Sequence, residues 1–237
     1  MGSVAISEQL NLGILPPIVY RAEHFVLHSG VFETFKLAES LLQRDNFSAL
    51  CIEGGKRSGK THLSIALATR LANNGLYPKI WSGKGCAEAI DNLGISESVS
   101  SGDVVVLDDA QEYFSGPQFN GSGSFVALFE RLRVGGSKIL ILVDRPISEI
   151  MVDDHIMSRL RSMSGATISS PSQDDMPALI RAMCRQRGVN LTGTKISFLA
   201  KRLGRRISAL EDYLDRLVYL SSVLGKKIDY TLLEEAI

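Results

Sequence analysis

Cysteine is scarce in this 237-residue sequence, and the three present, Cys51, Cys86 and Cys184, are odd in number, far apart and without a Cys-x-x-Cys pair. That argues against a disulfide framework and against a structural zinc site, and fits a reducing compartment. Excess charge is missing as well: Lys plus Arg and Asp plus Glu each number 26, so the chain is not built to coat nucleic acid by bulk electrostatics, although a local basic patch stays open. No apolar run approaches the roughly 20 residues that span a bilayer, and Met1 to Leu12 has no basic-then-apolar signal layout. A cytoplasmic protein with no membrane association is expected. Internal repeats and long low-complexity runs are also missing. What remains, 45% apolar and 22% charged residues, is ordinary globular composition in a chain long enough to bury a core unaided.

Residues 1–22, with Gly13, Pro16 and Pro17 among scattered apolar residues, hold no sustained period and read as a tail. From Phe32 to Leu42 apolar residues recur at helical spacing. Ala49 to Glu53 then reads as a strand, followed by glycines and a second helical pattern from Lys60 to Asn74. Lys79 to Trp81 reads as a short strand and Gly85 to Leu93 as a helix, with Trp81 in the core or a crevice. Val104 to Leu107 is a buried parallel strand closed by Asp108 and Asp109. A Gly/Ser-rich stretch, Ser115 to Ser124, reads as a loop, Phe125 to Leu132 as a helix, and Ile139 to Val143 as a buried strand stopped by Asp144 and Pro146. Strands alternating with helices predict an α/β domain, residues 23–170, with a mainly parallel sheet. Pro177 to Arg187, Lys195 to Leu203, Ser208 to Leu224 and Asp229 to Ile237 are all helical patterns, so residues 171–237 predict a small all-helical domain.

The strongest chemical signal is Gly54-Gly55-Lys56-Arg57-Ser58-Gly59-Lys60-Thr61, a full GxxxxGK[ST] motif between a predicted strand and a predicted helix. Its glycines let backbone N–H groups converge on phosphate oxygens, and the following helix adds its positive end. Lys60 would reach the β- and γ-phosphates of ATP or ADP, and Thr61 would hold Mg²⁺. His62 follows the threonine and either packs on the helix or joins the nucleotide set. A partner carboxylate at a neighbouring strand end completes such a site: Asp108 for the metal, Asp109 to orient water or act as base. His24 and His28, four apart, would share a helix face but have no third ligand for a metal.

These two motifs, followed by Asp144-Arg145-Pro146, by Ser158-Arg159-Leu160 and by a four-helix end, resemble the AAA+ module of the replication initiator DnaA, from about Phe25 to Ile237. The resemblance implies a P-loop AAA+ fold with a parallel five-stranded sheet and a helical lid. Because the sequence ends at Ile237, with no helix-turn-helix region, it is most similar to regulators of the Hda type. It then implies three partner contacts. Gln9, Leu10 and Leu12 would dock on the DNA polymerase sliding clamp, Arg159 would act as an arginine finger on ATP bound to DnaA, with Arg161 as runner-up, and a homodimer is possible. Asp144 matches a polar sensor beside the γ-phosphate. DNA contact would be weak or indirect, through Lys201, Arg202, Arg205 and Arg206. Two other readings stay open: a helicase-loader-like ATPase, and a non-catalytic DnaA-binding module holding ADP structurally. The sequence departs from the family where Ser208 replaces a lid arginine called sensor 2, which Arg205 or Arg206 would have to replace. Met163-Ser164-Gly165 also stands where a Trp-Gly pair is usual.

Overall fold

Strand β1, Ser48–Glu53, shows how the body is built. Its residues alternate, Leu50 and Ile52 entering the core on one face of the sheet and Cys51 the core on the other, as period-2 side-chain geometry requires. The computed structural model describes residues 20–76, 78–92, 99–115 and 122–237. Gln9, Leu10 and Leu12, and most of the Ser115 to Ser124 stretch, lie outside them.

Five parallel strands form one sheet in the order β2-β3-β4-β1-β5, with β2 at Lys79–Ser82, β3 at Val104–Asp108, β4 at Lys138–Val143 and β5 at Ser164–Thr167. Ser48 pairs with Lys138, Leu50 with Ser164, and Ser82 with Asp108. Four of the strands were readable as apolar runs. The fifth was not, because β5 is a Ser-Gly-Ala-Thr edge strand held by backbone pairing, with little apolar burial.

Helices α1, Ser29–Leu42, and α2, Lys60–Asn73, cover one face, where Val31, Phe35, Leu63 and Leu67 meet Leu50, Ile52, Leu140 and Leu142. The opposite face is covered by α3, Gly83–Ala87, α4, Ala110–Ser115, α5, Ser122–Val134, and α6, Asp154–Ser162. There Phe125, Leu128 and Ile156 pack on Val105, Ile139 and Ile141. The helix expected over residues 85–93 is split: α3 ends at Ala87 and a π-turn, Glu88–Asn92, continues it. His24 and His28 do not share a helix face. His24 ends a 3-10 turn, Ala22–His24, and His28 caps α1, its Nδ1 accepting from the Gly30 N–H at 3.1 Å.

The remaining helices, α7 at Met176–Gln186, α8 at Gly193–Arg202, α9 at Ile207–Leu224 and α10 at Tyr230–Glu235, close a separate core around Met176, Ile180, Leu199, Leu214 and Leu217. Asp175 joins this lid to the body. Its Oδ2 accepts from Ser29 N (3.1 Å) and Oγ (2.6 Å) at the start of α1, and from Ser172 N (2.8 Å) and Oγ (2.6 Å). The neighbouring residues Phe25 and Val26 part company, Phe25 packing into the body and Val26 into the lid. Among the described residues no helix is long and apolar enough to cross a membrane.

Candidate nucleotide site

Parallel order puts the carboxyl ends of β1, β3 and β4 side by side, and the candidate residues follow directly from those ends, where ligands of open α/β sheets sit. After β1 the chain turns through 54–59 into α2. Gly59 has φ of 95° and needs the freedom of glycine, and a Cβ on Gly54 would stand 2.7 Å from Ser58 Oγ. Lys60 is folded into the loop: its Nζ donates to Gly54 O (3.0 Å) and Gly55 O (3.1 Å) and lies 3.6 Å from Asp109 Oδ1.

The acids after β3 differ. Asp108 is buried, and burial pushes its carboxyl up, with a hydrogen bond from the Thr61 hydroxyl opposing. Its Oδ1 has no hydrogen-bond partner, nor does the buried Ser58 Oγ. Ser58 Oγ belongs to the loop, and Asp108 closes β3 beside Thr61. Asp109 is strained at φ of 51° and more exposed. Beside it stands Gln111, which sequence reading passed over: its Nε2 donates to Asp109 Oδ1 at 3.3 Å, and its Oε1 accepts from the Asp144 N–H at 3.1 Å. Gln111 thereby ties the end of β3 to the end of β4. The signal for it was its place just after the paired acids. Asp144 is gripped by Arg145, Nε to Oδ1 at 2.7 Å, and that contact holds its carboxyl below the usual range.

Ser58, Lys60, Thr61, Asp109, Gln111 and Asp144 line one side of a cleft of about 430 Å³, while the buried Asp108 and Gly54 are not part of its lining. The other end is aromatic and apolar: Tyr20, Phe25 and His62 from the body, Leu179, Met183 and Ile207 from the lid. The His62 ring lies between Tyr20 (centroids 5.5 Å) and Phe25 (5.4 Å, edge-on). Its Nε2 donates to Arg21 O at 2.7 Å, and burial lowers its pKa, so the ring is neutral and packed at pH 7. Tyr20, read from sequence as tail, is part of this wall.

Of the residues singled out from sequence, Lys56, Arg57, Ser58, Gly59, Lys60, Thr61, His62, Asp109 and Asp144 line the cleft, while Gly55 borders a smaller one of about 180 Å³ behind the loop. Ser208 and Arg206 line that second cleft, and Arg205 lines neither. Arg57 points its guanidinium to Glu211 and Asp212 on α9. Arg159 is elsewhere, on α6, its Nη2 on Glu130 Oε1 at 3.1 Å and its Nη1 on His155 O at 3.2 Å. Lys201 and Arg202 are exposed, Arg202 lying 3.7 Å from the Phe198 ring centroid.

No protein-family model matches the chain. Over 208 residues it is 28% identical to the chromosomal replication initiator protein DnaA of Chlorobaculum tepidum, an alignment covering 82% of this chain and 42% of that relative. The chain thus spans less than half the relative's length. Domain III of the Thermotoga maritima replication initiation protein DnaA superposes with a TM-score of 0.75 at 19% identity, covering 94% of this chain and 98% of that one. AMPPCP-bound DnaA from Aquifex aeolicus superposes with a TM-score of 0.68 at 21% identity, covering 93% and 70%. The fold is that of a DnaA-like AAA+ module.

Proposed function

We propose that the chain is a nucleotide-binding AAA+ regulator of chromosome replication initiation, of the Hda type, which docks on the sliding clamp and promotes hydrolysis of ATP bound to a DnaA partner. One arrangement carries this reading. The cleft gathers the Lys60 ammonium with Asp109 and Asp144, and next to it Asp108 is buried, hydrogen-bonded by Thr61 and left with one unpartnered oxygen, while Arg159, the arginine suited to a neighbour's phosphates, lies outside the cleft on α6.

In this reading Lys60 exchanges Gly54 O and Gly55 O for phosphate oxygens of ATP or ADP, and the N–H groups of residues 55–59 surround them. Mg²⁺ fits Asp108 and Thr61, because such an ion takes one or two carboxylates and completes its shell with phosphates and water. When bound it neutralises charge on the β- and γ-oxygens. Asp109, held by Gln111, and Asp144 line the cleft and would be the groups to orient a water for hydrolysis. Tyr20, Phe25 and His62 pack against the base. Arg159 has to leave Glu130 to reach a partner's γ-phosphate, where such a finger gives roughly 10³- to 10⁵-fold in rate. Gln9, Leu10 and Leu12 offer the clamp an amide and spaced leucines for an apolar groove. The exposed Lys201 and Arg202 allow weak contact with DNA near a loaded clamp, a homodimer remains compatible, and no membrane enters the scheme.

The test is conversion of DnaA-bound ATP to ADP, with clamp loaded on DNA, with and without this protein. Acceleration that needs the clamp and is lost with Arg159→Ala or Gln9→Ala supports the reading. If folded, nucleotide-loaded protein gives no acceleration, the regulator reading fails, and the likeness to DnaA concerns fold alone.

A further inference from the structure

The P-loop sends a cation of its own to the lid. Arg57 sits in the loop at φ of 56°, a left-handed conformation that non-glycine residues rarely take and that persists only where surroundings hold it. From there its guanidinium turns to α9. Nε donates to Glu211 Oε2 at 2.9 Å, and Nη1 donates to Asp212 Oδ1 at 2.6 Å. A planar fork spread over two adjacent carboxylates is fixed in direction as well as in charge.

The two acids are unequal. Asp212 has 65% of its side chain exposed, Glu211 only 12%. Burial pushes the Glu211 carboxyl up, and Arg57 counters it first, then Arg187. Arg187 is fixed inside the lid by Asp215 Oδ1 (2.7 Å) and Met183 O (3.2 Å), and its buried Nη2 has no hydrogen-bond partner. Glu211 on α9 is therefore held by a positive charge from the loop and stabilised by a second one, Arg187, from within the lid. Asp175 and Val26 tie the two units where the chain passes from body to lid, and Ile207 approaches the loop at Gly59. Arg57 and Glu211 both line the cleft.

We propose that Arg57 is a lid latch: through Glu211 and Asp212 it holds the helical lid over the cleft and so sets the rate at which nucleotide leaves. This rests on the nucleotide binding proposed above and adds to it control of exchange by three named residues. The latch involves no γ-phosphate, so it restrains ADP and ATP alike. The direction of the charge is also reversed, since the cation is on the loop and the acids are on the lid, one helical turn beyond Ser208.

The experiment has two arms on the full chain. In the first, a fluorescent ADP is chased from the protein by excess unlabelled ADP. Arg57→Ala and Glu211→Gln should each speed release by about tenfold, the scale for a hydrogen-bonded charged group. Asp212→Asn, outside the cleft, should speed it by roughly two- to threefold. The Arg57→Ala/Asp212→Asn double variant should release no faster than Arg57→Ala. In the second arm, on nucleotide-free protein, Arg57→Ala should raise amide exchange in 207–217 and leave the sheet unchanged. If Arg57→Ala speeds release while Glu211→Gln and Asp212→Asn leave it unchanged or slow it, Arg57 is a phosphate ligand and the latch is overturned. A wild-type chain that binds no ADP sinks the nucleotide reading, and the exchange arm then decides the latch on its own.

Discussion

The two walls of the cleft are made differently. The polar part of the body wall comes from three strand ends, and each of its groups is delivered by a short contiguous stretch: Lys60 and Thr61 by the P-loop, Asp109 by the turn after β3, Asp144 by the end of β4. Ser58 Oγ in this wall and Asp108 Oδ1 beside it are buried and have no hydrogen-bond partner. The lid wall is apolar apart from Gln186 and Glu211, and Glu211 is engaged by Arg57 from across the seam. One wall carries the polar groups of the strand ends, and the other is fastened to the first by a single acid. The polar groups of the cleft thus come from local motifs, while the contact that spans it joins residues remote in sequence.

Lys60→Ala tests the first wall hardest: ADP affinity should fall on the order of 100-fold, the loss of a charged donor to phosphate. Isothermal titration measures it, and an unchanged affinity would mean that the body wall is not the phosphate wall. Asp108→Asn should weaken Mg²⁺ binding about 10-fold or more. Nucleotide affinity measured in excess EDTA should then stay near wild type, and a loss in EDTA as large as in Mg²⁺ would remove Asp108 from the metal role. At the aromatic end, Tyr20→Ala should cost ADP about threefold. Inorganic pyrophosphate, which has no base to stack, should bind as before; an equal loss would put Tyr20 with the phosphate wall.

The smallest effect concerns the hinge. Burial pushes the Asp175 carboxyl up, but hydrogen bonds from Ser172 and Ser29 outweigh it and hold the pKa well below the usual range. A folded-state pKa below the unfolded one means stability present above about pH 3.9 and lost as pH falls through the folded value. Asp175→Asn should therefore lower the melting temperature by about the same few degrees from pH 5 to 8. The gap should narrow below pH 4. A gap that widens in acid reverses the sign and refutes the assignment.

What was legible in the sequence follows the same division. The P-loop and the paired acids could be read because the chemistry needs consecutive residues, and the buried strands because their apolar runs are continuous. β5 escaped because an edge strand of Ser, Gly, Ala and Thr carries no apolar period. The Arg57 contact to Glu211 escaped because it joins positions 154 residues apart, which no local pattern encodes. Gln111 fell in a stretch to which the sequence assigns no element and Tyr20 in the tail, since their roles depend on neighbours brought in by folding. Arg159 could be singled out through the family resemblance, but its partner Glu130, on a different helix, could not.

The order of the sheet also has a consequence for synthesis. β1 carries the P-loop, yet it pairs only with β4 and β5. Until the ribosome has delivered Lys138–Val143, the segment Ser48–Glu53 is an apolar strand with both edges bare, the kind of surface that recruits other chains. The nucleotide motif is thus made early and assembled late. The vulnerable interval in this protein's life is the translation of the long middle section between its phosphate loop and the strand that shelters it.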